Sequence, residues 1–277
     1  MMKNIKLILI LLIATACERV VTNVPIPKTE PQLVIFSFLS PEVSIIEVGV
    51  SITNPIFNPQ SNQSLIVSNA DVSIVDENGN SKNIPFDNTT NTYRLDQSLF
   101  KIEPGFTYEI IAVYKNYTAK GKTNIPLSKA VIQKNEYIPS GSRTDNQPTA
   151  RIKTTWSDIP IEANYYRVVN TGKESFFPDL TDLCNDKLLN DKNNDGQQMH
   201  SYCDNYYSDY SDNEPYFEKI QTYLLTTDVH YYQYHIRRLN YIGDDPFSEP
   251  FQMYTNVKGG LGCVGSYRMD SNTIKLK

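Results

Sequence analysis

Ile46-Glu47-Val48-Gly49-Val50-Ser51-Ile52-Thr53 alternates apolar and polar residues without a break. A period of two places the four branched apolar side chains on one face of an extended chain, the pattern of a strand with one buried face. The neighbouring sequence repeats the theme. Gln32 to Leu39 is an apolar run of strand length, and Asn69 to Val75 reads as another strand. The second ends at Asp76-Glu77-Asn78-Gly79-Asn80, where Asn-Gly supplies the positive φ values of a hairpin turn. Tyr93 to Leu95 reads as a short strand. Pro104-Gly105 turns the chain into Phe106 to Tyr114, and Lys115-Asn116 returns it along Tyr117 to Thr123. Six or seven strands with no helical period predict an immunoglobulin-like or transthyretin-like β-sandwich over 32–126. The polar stretch from Asn54 to Ser64 reads as a loop, either solvated or in contact with a partner.

The segment 127–277 keeps the strand signal but adds a helix. Ala150, Ile152, Thr154 and Trp156 alternate with Arg151, Lys153 and Thr155; Tyr165 to Val169 and Gln221 to Thr226 are further strands. Val229, Tyr232, Ile236 and Leu239 then fall three or four residues apart, with Thr227 or Asp228 placed to cap. That spacing predicts a helix over 228–241; a strand is the alternative, since tyrosines crowd the same stretch. Phe251 to Thr255 and Gly262 to Tyr267 close the chain as strands. The whole reads as mainly β, a sandwich followed by a β-rich α+β domain with one short helix.

The chain opens differently. Lys3 and Lys6 precede an apolar run from Leu7 to Ile13, followed by Ala14-Thr15-Ala16-Cys17. Charge, apolar core and small residues in that order make an export signal, and the run is far short of the ~20 residues that span a bilayer. Ala14 to Cys17 resembles a bacterial lipobox, in which the cysteine is acylated and becomes the first mature residue. Acyl chains such as palmitate bind membrane by about 0.8 kcal/mol per buried methylene, so several give a lasting anchor. An ordinary signal peptide cut after Ala16 is the alternative. Residues 18–31 hold three prolines and no period, and read as a tether, so 1–16 is the signal and 17–31 the anchored linker.

The net charge is −5, and losing Lys3 and Lys6 makes it more negative still. No basic run appears, which excludes nucleic acid as an expected partner. Nineteen tyrosines suit sheets and wet binding faces. Beyond Cys17 stand Cys184, Cys203 and Cys263. An oxidising compartment permits a bridge; Cys184 and Cys203 flank one polar stretch and are the favoured pair, worth on the order of 3 kcal/mol. Cys263 is then a free buried thiol. All three reduced is the alternative.

That polar stretch, 179–216, reads as a long acidic, Tyr-rich loop. From Asp179 to Glu214 nine acids face two lysines. Within it Asp191-Lys192-Asn193-Asn194-Asp195-Gly196 matches the first half of a calcium loop: Asp191, Asn193 and Asp195 offer side-chain oxygens and Gln197 a carbonyl. The twelfth position, where a bidentate glutamate belongs, is Tyr202. Ca²⁺ is thus the one cofactor to consider, against a plain solvated turn; no other is expected. Tyr202, Tyr206, Tyr207, Tyr210 and Tyr216 punctuate the stretch and are candidate ligand or partner contacts, or anchors pinning it to a sheet. Gly260-Leu261-Gly262-Cys263-Val264-Gly265 has the letters of a dinucleotide fingerprint but lacks room for the helix and acid that follow one, and reads as a bend between strands. His200, His230 and His235 lack zinc spacing and read as surface or interface residues. No nucleophile or metalloprotease signature appears, so no catalytic residue is expected.

Several short motifs, in order, carry a resemblance. They are Pro31 to Pro41, Val67-Ser68-Asn69-Ala70-Asp71-Val72, Pro104-Gly105-Phe106-Thr107-Tyr108, Thr123-Asn124-Ile125-Pro126, Trp156-Ser157-Asp158, Tyr165-Tyr166, Pro246 to Pro250 and Asn256 to Gly262. Together they resemble a Bacteroidota outer-membrane lipoprotein family carrying a domain of unknown function, often encoded beside TonB-dependent receptors. The resemblance implies a non-enzymatic accessory subunit of such a receptor, in nutrient capture or receptor assembly, held at the outer membrane through acylated Cys17. A free-standing surface lipoprotein that binds glycans or peptides through 179–216 is the alternative.

Overall fold

The computed structural model describes residues 30–54, 65–142, 148–171, 187–207, 219–241 and 252–275. In chain order the strands are β1 (Leu33–Leu39), β2 (Ile45–Ile52), β3 (Asp71–Asp76), β4 (Ser81–Asn83), β5 (Phe86–Asp87), β6 (Thr92–Asp96), β7 (Thr107–Tyr114) and β8 (Tyr117–Asn124). There follow β9 (Ile132–Ser142), β10 (Pro148–Ser157), β11 (Tyr165–Thr171), β12 (Lys187–Asn190), β13 (Gln198–Tyr207) and β14 (Lys219–Thr227). Helix α1 (Val229–Leu239), β15 (Val257–Lys258) and β16 (Leu261–Lys275) complete the described elements. The chain is mainly β with one short helix, as the alternation predicts.

The spine is an eight-stranded sheet in the order β12-β11-β14-β16-β1-β2-β6-β5. Its centre joins the two ends of the chain: β1 runs parallel to β16, from Val34 opposite Leu261 to Leu39 opposite Ser266. The sheet therefore crosses the expected boundary at 126–127 without a break in hydrogen bonding. A five-stranded sheet, β15-β8-β7-β3-β4, packs on the β1–β2–β6 portion. The seam is a core of Leu33, Ile35, Val48, Val50, Ile74, Ile110 and Val264, all at most 3% exposed. A three-stranded sheet, β13-β10-β9, covers the β11–β14 portion through Trp156, Tyr166, Met199 and Leu224.

The opposite face of the spine takes α1. Asp228 caps it, its carboxylate accepting from the Tyr231 N–H at 2.8 Å, while Arg237 and Arg238 sit in the last turn near the carbonyl end of the dipole. The face it buries differs from the one the apolar spacing marks. Val229 and Leu239 are exposed, and Tyr231 and His235 are buried. One turn apart, these two rings meet at 4.2 Å, tilted by 36°, and Phe38 meets Tyr231 at 5.0 Å and His235 at 5.1 Å. Gly265 lets the helix come this close: a Cβ there would lie 2.9 Å from the Tyr231 nitrogen. His235 is thus a core residue, not a surface one. Burial, with the Arg167 and Arg238 charges, pushes its pKa down to about 2.

Other expectations change too. Residues 252–256 are not a strand; β15 begins at Val257. The bend between strands is confined to Gly259 and Gly260, which join β15 to β16; from Leu261 the stretch is strand, and Gly262 lies in β16 at φ +108°, where a Cβ would be 1.9 Å from the Ile35 carbonyl oxygen. The stretch 179–216 is not one loop, since β12 and β13 lie within it.

Two predictions follow from this packing. Gly262→Ala combines positive φ with a backbone clash and should cost more than the about 1–3 kcal/mol of strain alone; Gly79→Ala, at φ +83° with open space around it, should cost only the strain. Urea denaturation of both variants checks the difference. A histidine with a depressed folded pKa leaves the unfolded chain binding the extra proton, so stability falls as pH drops below about 6.5, by at most about 1.4 kcal/mol per unit. His235→Phe should remove that part of the acid limb in thermal melts between pH 6.5 and 4.5.

Candidate functional site

β10 ends at Ser157, and the next residues cross to β11 through Asp158-Ile159-Pro160-Ile161-Glu162-Ala163-Asn164. The turn from β12 to β13, 191–197, lies against them. Three carboxylates tie the two segments together. Asp158 accepts from the Tyr166 hydroxyl at 2.7 Å and the Gly196 N–H at 2.7 Å. Asp191 accepts from the Asn164 N–H at 2.8 Å, and Asp195 from the Ile161 N–H at 2.8 Å. Oxygens of the three lie within 4.8 Å of one another; Asp158 and Asp191 are buried and Asp195 is exposed. Burial, then the bond to Asp158, raises the Tyr166 pKa far above the ordinary phenol range.

Of the four expected calcium ligands, the structure brings Asp191 and Asp195 together. Asn193 is exposed on the turn, and the Gln197 carbonyl accepts from the Asp158 N–H at 2.9 Å. Asp158 completes the cluster from the segment that follows β10. Hard cations take six to eight oxygens, so Asp158, Asp191 and Asp195 are the side chains able to contribute to such a shell, with the Gln197 carbonyl beside them. In the protein as it stands each carboxylate serves backbone N–H groups, and the cluster acts as a clasp between two turns.

The clasp sets one wall of a cleft of about 470 Å³. Glu162 and Tyr165 come from the 158–165 segment, Asn124 from the end of β8, Leu127 from the link between β8 and β9, and Val229 and His230 from the first turn of α1. Its floor is Asp228, held by the Thr123 hydroxyl at 2.6 Å and the Ser266 N–H at 3.1 Å; burial raises the Asp228 pKa and these bonds work against that rise. Arg268 fixes the Leu127 backbone, donating to its carbonyl at 2.7 Å while paired with Glu42 at 2.7 Å. Around this rigid frame the apolar side chains point outward: Leu127 is 71% exposed, Val229 41%, and Ile161, one residue before Glu162, 94%. Ile161 also has φ +86°. Pro followed by positive φ is the order of a type II turn, whose third position favours Gly or Asn; a β-branched residue there costs on the order of 1–3 kcal/mol.

The remaining candidates are scattered. Tyr202 lies on β13 with the Arg151 guanidinium 4.9 Å and the Lys153 ammonium 5.8 Å from its ring centre, on the outward face of the three-stranded sheet. Tyr206 and Tyr207 occupy β13 opposite Ala150 and Thr149. Tyr210, Tyr216, Cys184 and Cys17 lie outside the described residues. Cys203 is disulfide-bonded and buried. Cys263 is free and buried, its thiol pKa raised by burial, and it donates weakly to the His230 carbonyl at 3.5 Å. The sequence reading missed Asp158 and Ile161. Trp156-Ser157-Asp158 had marked the place of the first, but nothing in the sequence signals that Asp158 meets Asp191.

The sequence matches the model of the family described as Domain of unknown function (DUF4249) over residues 21–273, and the chain belongs to that family. No curated protein matches it.

Asp158→Ala leaves two donors without their acceptor, the Tyr166 hydroxyl and the Gly196 N–H. It should cost about 2 kcal/mol or more. Asn193→Ala, on the exposed turn, should stay within about 0.5 kcal/mol of wild type. Chemical denaturation of the two variants measures both.

Proposed function

We propose that this member of the DUF4249 family is a non-enzymatic Bacteroidota outer-membrane lipoprotein, anchored through acylated Cys17, that docks as an accessory subunit on a TonB-dependent receptor and serves nutrient capture or receptor assembly. The order of charge, apolar run and Ala14-Thr15-Ala16-Cys17 supports the anchor. The family membership is consistent with the accessory role but carries no mechanism of its own.

The observation that carries the docking part is the cleft with its outward-pointing rim. Large apolar side chains scattered singly over a surface mean little. Leu127 and Val229 both line one cleft, and Ile161 directly precedes Glu162 on its wall, on backbone fixed by Arg268, the α1 cap and Asp195. Apolar anchors on a rigid frame with polar neighbours are what a protein interface uses at its centre.

Purification of the intact lipoprotein from membranes in mild detergent should bring down a β-barrel receptor in near-stoichiometric amount. Cys17→Ala should abolish radiolabelled palmitate incorporation and release the protein from the membrane fraction. A clean monomer in the first experiment rejects the accessory role; a persistent label in the second rejects Cys17 as the anchor.

A further inference from the structure

The chain enters the fold at one end of the sandwich. Gln32 bonds to Thr53, Leu33 stands opposite Ile52, and the Leu33 carbonyl lies against Gly260. The β7–β8 turn, Lys115-Asn116, belongs to the same end, since Thr118 and Ala119 at the start of β8 lie against Gly259 and Gly260. The cleft lies at the other end of β1, where Leu39 stands opposite Ser266, about 20 Å along the strand.

This entry end is basic in an acidic chain. Residues 115–124 and 252–260 hold Lys115, Lys120, Lys122 and Lys258 and no acid, while the net charge is −5. Lys258 on β15 stands directly opposite Lys120 on β8, and Lys122 is exposed on the same strand. Among the described residues Lys120, Lys122 and Lys258 make no ion pair, although Glu109 stands opposite Lys122; Asp71, on β3, lies two strands from β8. Like charges directly opposite one another destabilise a sheet. Lysine on an edge strand guards against stray pairing. That accounts for Lys258 but not for Lys120 and Lys122, whose strand has a neighbour on each side. An anionic surface laid against them relieves the repulsion.

Exposed apolar side chains surround the same entry. The Leu65 carbonyl accepts from the Ile52 N–H, Ile66 bridges to Ser51, and Leu261 stands opposite Val34; all three side chains are exposed. Ammonium groups beside apolar side chains match a bilayer interface, where headgroup phosphates take the charge and the apolar side chains sit slightly deeper.

We propose that the entry end is a membrane-contact surface. Lys115, Lys120 and Lys258 lie on the phosphate headgroups of the leaflet that holds Cys17, Leu65, Ile66 and Leu261 reach its interface, and the cleft faces away from the bilayer. This rests on the anchor reading above. Only residues 18–29 separate Cys17 from the described chain, at most about 45 Å when fully extended, and they join the fold at this end. Acyl chains hold the protein at the bilayer without fixing which way it faces; the basic surface fixes the facing.

The test uses the acylated lipoprotein in phosphatidylethanolamine–phosphatidylglycerol vesicles that carry headgroup spin labels. A fluorophore is attached through Asn116→Cys or through Leu99→Cys, which follows β6 at the far end, where Asp96 stands opposite Ile45. Quenching at 116 should exceed that at 99 about threefold or more, and combined Lys115→Gln, Lys120→Gln and Lys258→Gln should erase the difference. The combined variant should melt no lower than wild type, because it removes the Lys120–Lys258 repulsion. Equal quenching at the two positions, quenching at 116 that survives the neutralisation, or a lowered melting temperature overturns the inference. Neutralisation that spares the quenching but lowers recovery of a co-purified protein assigns the lysines to that protein, and also overturns it.

The anchor is read separately, from the mass of the purified protein. A chain without acyl groups rejects the anchor, and an acylated chain with no quenching at 116 rejects only the surface. The Cys17→Ala chain tests the surface without the anchor. At low salt it should sediment with phosphatidylglycerol vesicles about tenfold more than with phosphatidylcholine vesicles, and lose that preference when the three lysines are neutralised. No preference, or one indifferent to the lysines, overturns the inference.

Discussion

The parallel pairing of β1 with β16 is the constraint on which the rest depends. It closes the chain on itself, since one partner lies at the start of the described residues and the other at their end. Parallel neighbours cannot be joined by a tight turn, and here nearly the whole chain is the connection. Everything between must return to leave the two strands side by side. Gly260, just before β16, and the glycines within it reflect how tight that closure is. A Cβ at Gly260 would lie 2.3 Å from the Leu33 carbonyl oxygen, and one at Gly262 closer still to Ile35. On the other side of the strand Gly265 admits α1. One strand thus receives β1, β14, the helix and the five-stranded sheet, and its small residues are what make four neighbours fit.

From that closure comes the position of the cleft. β8 ends, α1 begins and β16 passes at a single point, where Thr123, Asp228 and Ser266 share hydrogen bonds. Asp228 does two jobs there. It caps the helix and it ties β8 to β16, so the cleft floor belongs to the core rather than to a surface loop. The clasp of Asp158, Asp191 and Asp195 makes the opposite wall comparably firm. A surface that must present apolar side chains without collapsing over them needs this kind of support.

Local pattern carried the secondary structure well and tertiary relations poorly. The alternation from Ile46 to Thr53 became β2, Asn78-Gly79 became a turn, and Asp228 became the N-cap, because each is decided within a few residues. β9, β12 and β13 were not legible: their polar sequences are stabilised as strands by pairing with β10 and β11. The buried face of α1 was misread for a related reason. Apolar spacing weights Val229 and Leu239, whereas the helix packs aromatic rings against Phe38, and His235 is apolar enough when neutral to join them. The calcium-like turn was half legible. Its own two aspartates converge, but the third comes from a strand end that no spacing rule connects to it.

Ile161 shows where such legibility ends. In a sequence, Pro160-Ile161-Glu162 is an unremarkable link between strands. Only the backbone angle reveals that isoleucine sits where glycine would be cheaper, and only the exposure reveals that no packing offsets the cost. Ile161 is therefore a place where the local choice departs from the agreement seen elsewhere in the fold. The acidic clasp fits the same account. It locks the turn whose least favourable residue faces outward, since Asp195 accepts the Ile161 N–H and holds the strained backbone in place.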